Sequence, residues 1–184
     1  MSEEEYLDVL DESGNKTGKK ELKSKIHAKG LWHNSAHIWI LNSKGQLLLQ
    51  KRSPLKISHP NQWDISAAGH CPAGLESIDN AIKEINEELG VSTKPKDLIY
   101  LFRAEAQSVQ NNKTFFNNEF DDVYLLEKDL EIDKLKLQKE EVSEAKWFDI
   151  DTLKNKIANN DSDFVPHPSE YPKLFEILKE KYVR

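Results

Sequence analysis

The chain predicts a mixed α+β domain in which a sheet lies between helices. Two observations lead there. Strand patterns come first, then one long amphipathic helix, then two long strand patterns and two closing helices. The 184 residues also suit one well-packed core and are short for two. The expected domain therefore spans residues 1–184.

Taken in order, residues 6–10 alternate apolar and polar and meet the turn signal DESGNKTG, as a hairpin arm does. Residues 21–28 suit a short helix. Residues 37–41 and 46–51 flank NSKG and read as paired strands. Residues 63–67 form a short strand that feeds a glycine-bearing loop. The helix that follows has Ser77 as its expected N-cap and Gly90 as its expected stop. Residues 98–108 and 114–126 read as an antiparallel hairpin turning through VQNNK, and residues 141–148 as a further strand. Helices at 151–159 and 171–182 flank the turn-rich DSDFVPHPS.

Composition removes several function classes. With 38% hydrophobic and 32% charged residues the chain is a folded globular protein. Lysine and arginine number 26 against 32 acids, a net charge of −6, which disfavours general nucleic-acid binding. No apolar run approaches membrane-spanning length, and the start MSEEEY lacks the marks of a secretion signal. Cys71 stands alone, so no internal disulfide can form. A cytoplasmic location is expected. Nothing in the sequence indicates an oligomeric interface.

Gly69 to Val91, GHCPAGLESIDNAIKEINEELGV, carries the chemistry. Glu84, Glu87 and Glu88 fall within about 100° of arc on one helix side, away from Ile78, Ala81, Ile82, Ile85 and Leu89. Acids in the last turns oppose the helix dipole, and Glu84 repels Glu88 at i,i+4. Each violation is small, but all share a sign, and a bound divalent cation would offset them. Magnesium prefers several oxygen ligands. Glu119, within the apolar and aromatic FFNNEFDDVYLL, is the best additional carboxylate, ahead of Asp121 and Asp122. Such a set lowers the pKa of a bound water and supplies a base for its attack on a substrate. Glu84 and Glu88 are assigned to metal, and Glu87 is ligand or base. Lys51 and Arg52, closing QLLLQKR, are candidates to meet phosphate oxygens, as is His70 for the substrate. Phe115, Phe116 and Trp63 could stack on a base or pack a prenyl chain. The lysines of residues 16–29 read as a solvated basic surface.

The same stretch resembles the Nudix box, G-x5-E-x7-R-E-U-x-E-E-x-G-U with U aliphatic. Gly69, Glu84, Ile85, Glu87, Glu88, Gly90 and Val91 match in register, so the box spans residues 69–91. Leu75 and Lys83 replace the glutamate and arginine that brace loop against helix in that family, and Glu76 is a partial substitute for the missing glutamate. The resemblance implies an α/β/α Nudix sandwich with a mixed central sheet, magnesium or manganese as cofactor, and hydrolysis of a small-molecule diphosphate. It also implies that a strand glutamate such as Glu119 joins the box acids.

A second resemblance is to isopentenyl-diphosphate isomerases, which share the fold. It is carried by WHNSAHIWILNSKGQLLLQKRS and Gly69-His70. His33 and His70 match two metal-binding histidines of that group, and His27 lies one residue out of step with another. Such a cluster favours zinc or manganese. The isomerases need a cysteine immediately before Gly-His, where this chain has Ala68, and an earlier strand glutamate, where it has Asn117. Hydrolysis is therefore preferred over isomerisation. The runs LDVLDESGNKTG, QWDISAAGH, NNEFDDVYLL and LQKEEVSEAKW also resemble a Nudix domain that precedes a peptidase in some plant proteins. The sequence is compatible too with a non-catalytic diphosphate-binding module and, less well, with a nucleic-acid decapping role.

Overall fold

A computed structural model describes residues 5–110 and 114–182. The turn expected in VQNNK falls mainly on residues 111–113, outside the described residues, as does most of the acidic start. Strands β1 (Tyr6–Leu10) and β2 (Lys16–Leu22) pair antiparallel as a separate ribbon. Asp11 shapes the turn between them, its Oδ1 accepting from the amides of Ser13 and Asn15 at 2.9 Å. The lysine-rich β2 is almost wholly exposed and has no alternating pattern, so its strand character lay hidden within the expected turn and helix. Helix α1 (Lys23–Lys29) follows it.

The main sheet has seven strands: β3 (His33–Leu41), β4 (Gln46–Arg52), β5 (Trp63–Asp64), β6 (Ala67–His70), β7 (Leu98–Gln110), β8 (Phe115–Glu127) and β9 (Val142–Asp149). Its path runs β5-β4-β3-β8-β7, with β6 also on β3 and β9 on β4. β3 and β8 pair in parallel, His33 opposite Glu119, and the other strand pairings of this sheet are antiparallel. The sheet is mixed, as the sequence predicts. β3 begins four residues earlier than expected, because polar His33, Asn34 and Ser35 mask its start. The single strand expected at 63–67 is two. Ile65 and Ser66 leave the ladder, and the Ser66 hydroxyl both donates to the Leu48 carbonyl and accepts from the Ile40 amide.

Helix α2 (Ser77–Leu89) covers one sheet face, with Ala81, Ile85 and Leu89 against Ile38, Ile40, Leu48 and Leu126. Helices α3 (Ile150–Ala158) and α4 (Tyr171–Tyr182) cover the other, with Leu153, Leu174 and Leu178 against Trp39, Leu47, Val123 and Leu125. This is the α/β/α sandwich. Among the described residues no helix is long and apolar enough to cross a membrane.

Ile85 is fully buried and points from the centre of α2 into this core. Ile85→Ala is expected to cost about 2–5 kcal/mol in urea denaturation. Ile82→Ala, at a half-buried position of the same helix, is expected to cost clearly less.

Candidate metal centre and active site

Helix α2 meets strand β6 through a polar seam. Asn80 donates its side-chain amide to the Gly69 carbonyl at 3.0 Å, and Glu88 Oε2 accepts from the Ala68 amide at 3.2 Å. Glu84, between them, lies directly over Gly69. A Cβ at residue 69 would stand 2.7 Å from Glu84 Oε2 and nearer still to its Cδ, so only glycine permits this approach. The helix does not start as expected: Glu76 is the N-cap residue, without a side-chain cap, and the Ser77 hydroxyl bonds Tyr124 Oη at 2.7 Å instead. It does stop at Gly90, which is left-handed at φ 69° and would press any Cβ against Lys136, at 2.6 Å. The amides of Lys136 and Gln138 take up the terminal carbonyls of Leu89 and Glu88.

The box acids differ in environment. Glu88 is 4% exposed, and Gln50 also donates to its Oε2 at 3.2 Å. Burial, then the charge of Glu84, pushes Glu88 up to about 8. Burial likewise raises Glu84, although Lys83 lies 3.1 Å from its Oε1. Lys83 also reaches Glu87 at 3.1 Å, and Glu87 keeps a 46% exposed side chain. The lysine that replaces arginine thus ties two box acids together, and Glu76 pairs with Lys16 at 3.0 Å rather than with Lys83. Glu88 is buried and Glu84 half-buried, both are raised by burial, and their carboxylate oxygens are the donor type that a hard divalent cation takes.

Sequence reasoning missed one acid here. Glu141, on the turn leading into β9, lies close enough to raise Glu88 further, and it is ion-paired with Lys56. The Ser53 amide donates to the Glu141 carbonyl at 2.8 Å and fixes that turn. Only the pairing of β4 with β9 brings it there, and the sequence carries no local sign of that pairing.

Glu119 is not brought to the α2 acids. It shares its β8 face with Val123 and Leu125, the face covered by α4, whereas α2 packs on Tyr124 and Leu126. Its Oε1 lies 3.0 Å from His70 Nε2 and 3.4 Å from His33 Nε2. Burial alone would raise Glu119, but His33 and His70 hold it well below the usual carboxylate range. Asn117 also donates to its carboxylate. The rings of His27, His33 and His70 stand 5.0 Å apart in each pairing. His27 Nδ1 donates to the Phe116 carbonyl at 3.2 Å and His33 Nδ1 to the Leu31 carbonyl at 3.1 Å, which leaves the Nε2 atom of the neutral His27 as a lone-pair donor. His27 Nε2 is buried and unpartnered, while His33 and His70 turn their Nε2 atoms toward Glu119, so nitrogen and carboxylate donors that fit a transition-metal ion stand together. Burial lowers His27 to about 4 and keeps it neutral.

The other expected contacts are engaged elsewhere. Arg52 bonds Asp64 Oδ2 at 2.9 Å and the Ser58 carbonyl at 3.0 Å, and Lys51 lies over the Trp63 ring at 5.8 Å. Neither is directed at the α2 acids. Trp63 packs on Phe148, and Phe115 stacks on His27 at 4.2 Å. Asp121 accepts from Ser35 at 2.5 Å, and Asp122 binds Arg103 at 2.8 Å.

The raised Glu88 has a measurable consequence in metal-free protein. Between its ordinary 4.5 and about 8, the folded state holds a proton that the unfolded chain has released. Stability should therefore fall as pH rises through that window, by up to about 1.4 kcal/mol per unit. Urea midpoints with chelator from pH 5 to 8 should show this decline, and Glu88→Gln should flatten it. An identical slope in both proteins would remove Glu88 as its source.

The NUDIX domain profile matches residues 31–167. Nudix hydrolase 3 of Arabidopsis thaliana is 42% identical over 186 residues, covering 97% of this chain and 24% of that protein. The chain thus spans about a quarter of that relative. An uncharacterised Nudix hydrolase of Clostridium acetobutylicum is 34% identical over 94% of this chain and 95% of its own length. An isopentenyl-diphosphate isomerase of Serratia proteamaculans is 28% identical over 88% of this chain and 86% of its own. The crystal structure of DR0079 from Deinococcus radiodurans superposes with a TM-score of 0.67 at 22% identity, over 97% of this chain and 99% of that one. A profile match over most of the chain, with box acids seated on Gly69, establishes that the chain belongs to the Nudix hydrolase family.

Proposed function

We propose that this protein hydrolyses the diphosphate linkage of a small organic substrate, a nucleoside diphosphate derivative or a prenyl diphosphate, with magnesium or manganese at Glu84 and Glu88. The observation that carries this reading is the pair of carboxylates seated against β6, Glu88 buried and Glu84 half-buried over Gly69, both raised by burial. The bound ion supplies charge neutralisation at the phosphoryl oxygens and acidifies water. Gln50 and the Ala68 amide orient Glu88. Glu87, the most exposed of the three acids, is assigned in this reading as base or as a further metal ligand. Water attacks phosphorus, its proton passes to the carboxylate, and the leaving phosphate carries away the bond electrons. The same proposal places the protein in a reducing cytoplasm, acting on small molecules rather than on nucleic acid or membrane.

A second metal reading rests on the three histidines and Glu119, which suit zinc or manganese. This cluster does not restore isomerisation. Ala68 offers a methyl group where a thiol is needed. Cys71 belongs to the core on the α2 side, and burial pushes it up to about 12, leaving it unreactive. Expressed protein should hold a transition metal that elemental analysis shows to be lost in a His33→Ala/His70→Ala variant. Equal metal content would sink this second centre.

The main test is mass spectrometry of products from nucleotide and prenyl diphosphates, with magnesium or manganese and with chelator. Metal-dependent cleavage is expected, reduced at least about 100-fold in Glu88→Gln. Full activity in that variant would refute the assignment. Isopentenyl diphosphate should yield no dimethylallyl isomer. Metal binding without turnover across the panel would favour the diphosphate-binding module, with Leu75 and Lys83 as its departures from the box.

A further inference from the structure

The segment DSDFVPHPS plays no part in the chemistry above, yet it walls a groove on the molecule. Between α3 and α4, on the sheet side opposite α2, lies a groove of about 550 Å3. Small-molecule sites generally span about 300–1,000 Å3. Ile157, Phe164, Tyr171 and Phe175 give it an apolar, aromatic lining.

Its walls are preformed. Trp63 donates to the Asp163 carbonyl at 2.7 Å, and the Val165 amide donates back to the Trp63 carbonyl at 2.9 Å, so the segment is held as an extra rung beside β5. Pro166, Pro168 and Pro172 fix the backbone around the rim. A ligand would enter without first paying to order a loop.

The charges at the rim are unequal. Asp161, an acid of the rim, is taken by Lys156 at 2.9 Å. His167 is tied to Asp64 at 2.7 Å. Lys154 has no carboxylate partner among the described residues, and its ammonium stands 5.5 Å above the ring of Phe175, inside the groove. An aromatic slot with one uncompensated cation over it complements a flat or branched apolar body bearing a negative group.

We propose that this groove is a second ligand site, separate from the α2 acids, for a small amphipathic anion: an aromatic or prenyl body carrying a phosphate or carboxylate. Lys154 receives the anionic group, and the half-buried Ile157 and Phe175 hold the body.

The test uses the whole protein in chelator, titrated with the aryl sulfonate 8-anilinonaphthalene-1-sulfonate and followed by fluorescence. One saturable site is expected. Geranyl monophosphate and geranic acid should displace the probe and neutral geraniol should not; the stronger of the two anions identifies the head group. Lys154→Glu should weaken binding roughly tenfold. Ala158→Trp, at an exposed position of the groove edge, should fill the groove and abolish binding. Glu88→Gln should bind as wild type. Displacement by geraniol as strongly as by the anions, indifference to both groove variants, or loss of binding in Glu88→Gln would each overturn the proposal. So would failure of the probe to bind together with sedimentation of the chain as a dimer, which would assign the groove to a second copy.

Discussion

The contact on which the candidate active site depends is the approach of helix α2 to residue 69. Three helix positions spaced four apart, Asn80, Glu84 and Glu88, all rest on the backbone of β6. Alongside them Ala81, Ile85 and Leu89 form a second stripe that packs on the sheet. The helix thus carries a polar seam and an apolar seam side by side, the apolar one buried and the polar one buried except at Glu84. The polar one is possible only because residue 69 has no side chain. The apolar stripe contributes the burial that offsets the cost of forcing carboxylates against a strand and against each other.

That arrangement explains what could be read from the sequence. The 3.6-residue period of α2, its terminal glycine and the acids opposing its dipole are all local properties, so helix and acids were legible together. The hairpin of β7 and β8 was legible because its apolar residues persist over many positions. β3 was only half legible, since His33, Ser35 and His37 occupy interior positions where a strand pattern asks for apolar side chains. The partners of Glu119 were not legible at all as a geometry. The parallel register that sets His33 beside Glu119 joins residues far apart in sequence, and no local pattern encodes it. Glu141 was hidden for the same reason, as was the partner of Arg52, because Asp64 arrives from a different strand.

The parallel pair β3–β8 divides the sandwich interior facing α4 into two lengths. Toward one end Trp39, Leu41, Val123 and Leu125 form an apolar core with Leu174 and Leu178. Toward the other, each rung carries ionisable or polar groups: His33 with Glu119, Ser35 with Asp121, and His37 between Asp121 and Glu170. Buried charge of this kind seldom adds net stability. Its concentration at one end leaves stability to the apolar half and gathers the ionisable groups of this face in the polar half.

Within the polar half, two histidine clusters have the spacing of metal ligands, and their hydrogen bonds separate them. Burial opposes protonation of His37, yet Asp121 and Glu170 raise it to about 10, so it is an imidazolium with both nitrogens directed at carboxylates, at 3.5 and 2.7 Å. His167 donates to Asp64, and Glu170 also accepts from Trp39 at 2.5 Å. A cation there would have to displace protons already well placed. His27 has the opposite arrangement: it gives its one proton to a backbone carbonyl and keeps a bare, buried Nε2. Similar residues at similar spacing therefore serve as a closed ion-pair network in one place and as an open donor set in the other. The position of the protons, set by which acceptor the backbone supplies, decides between them.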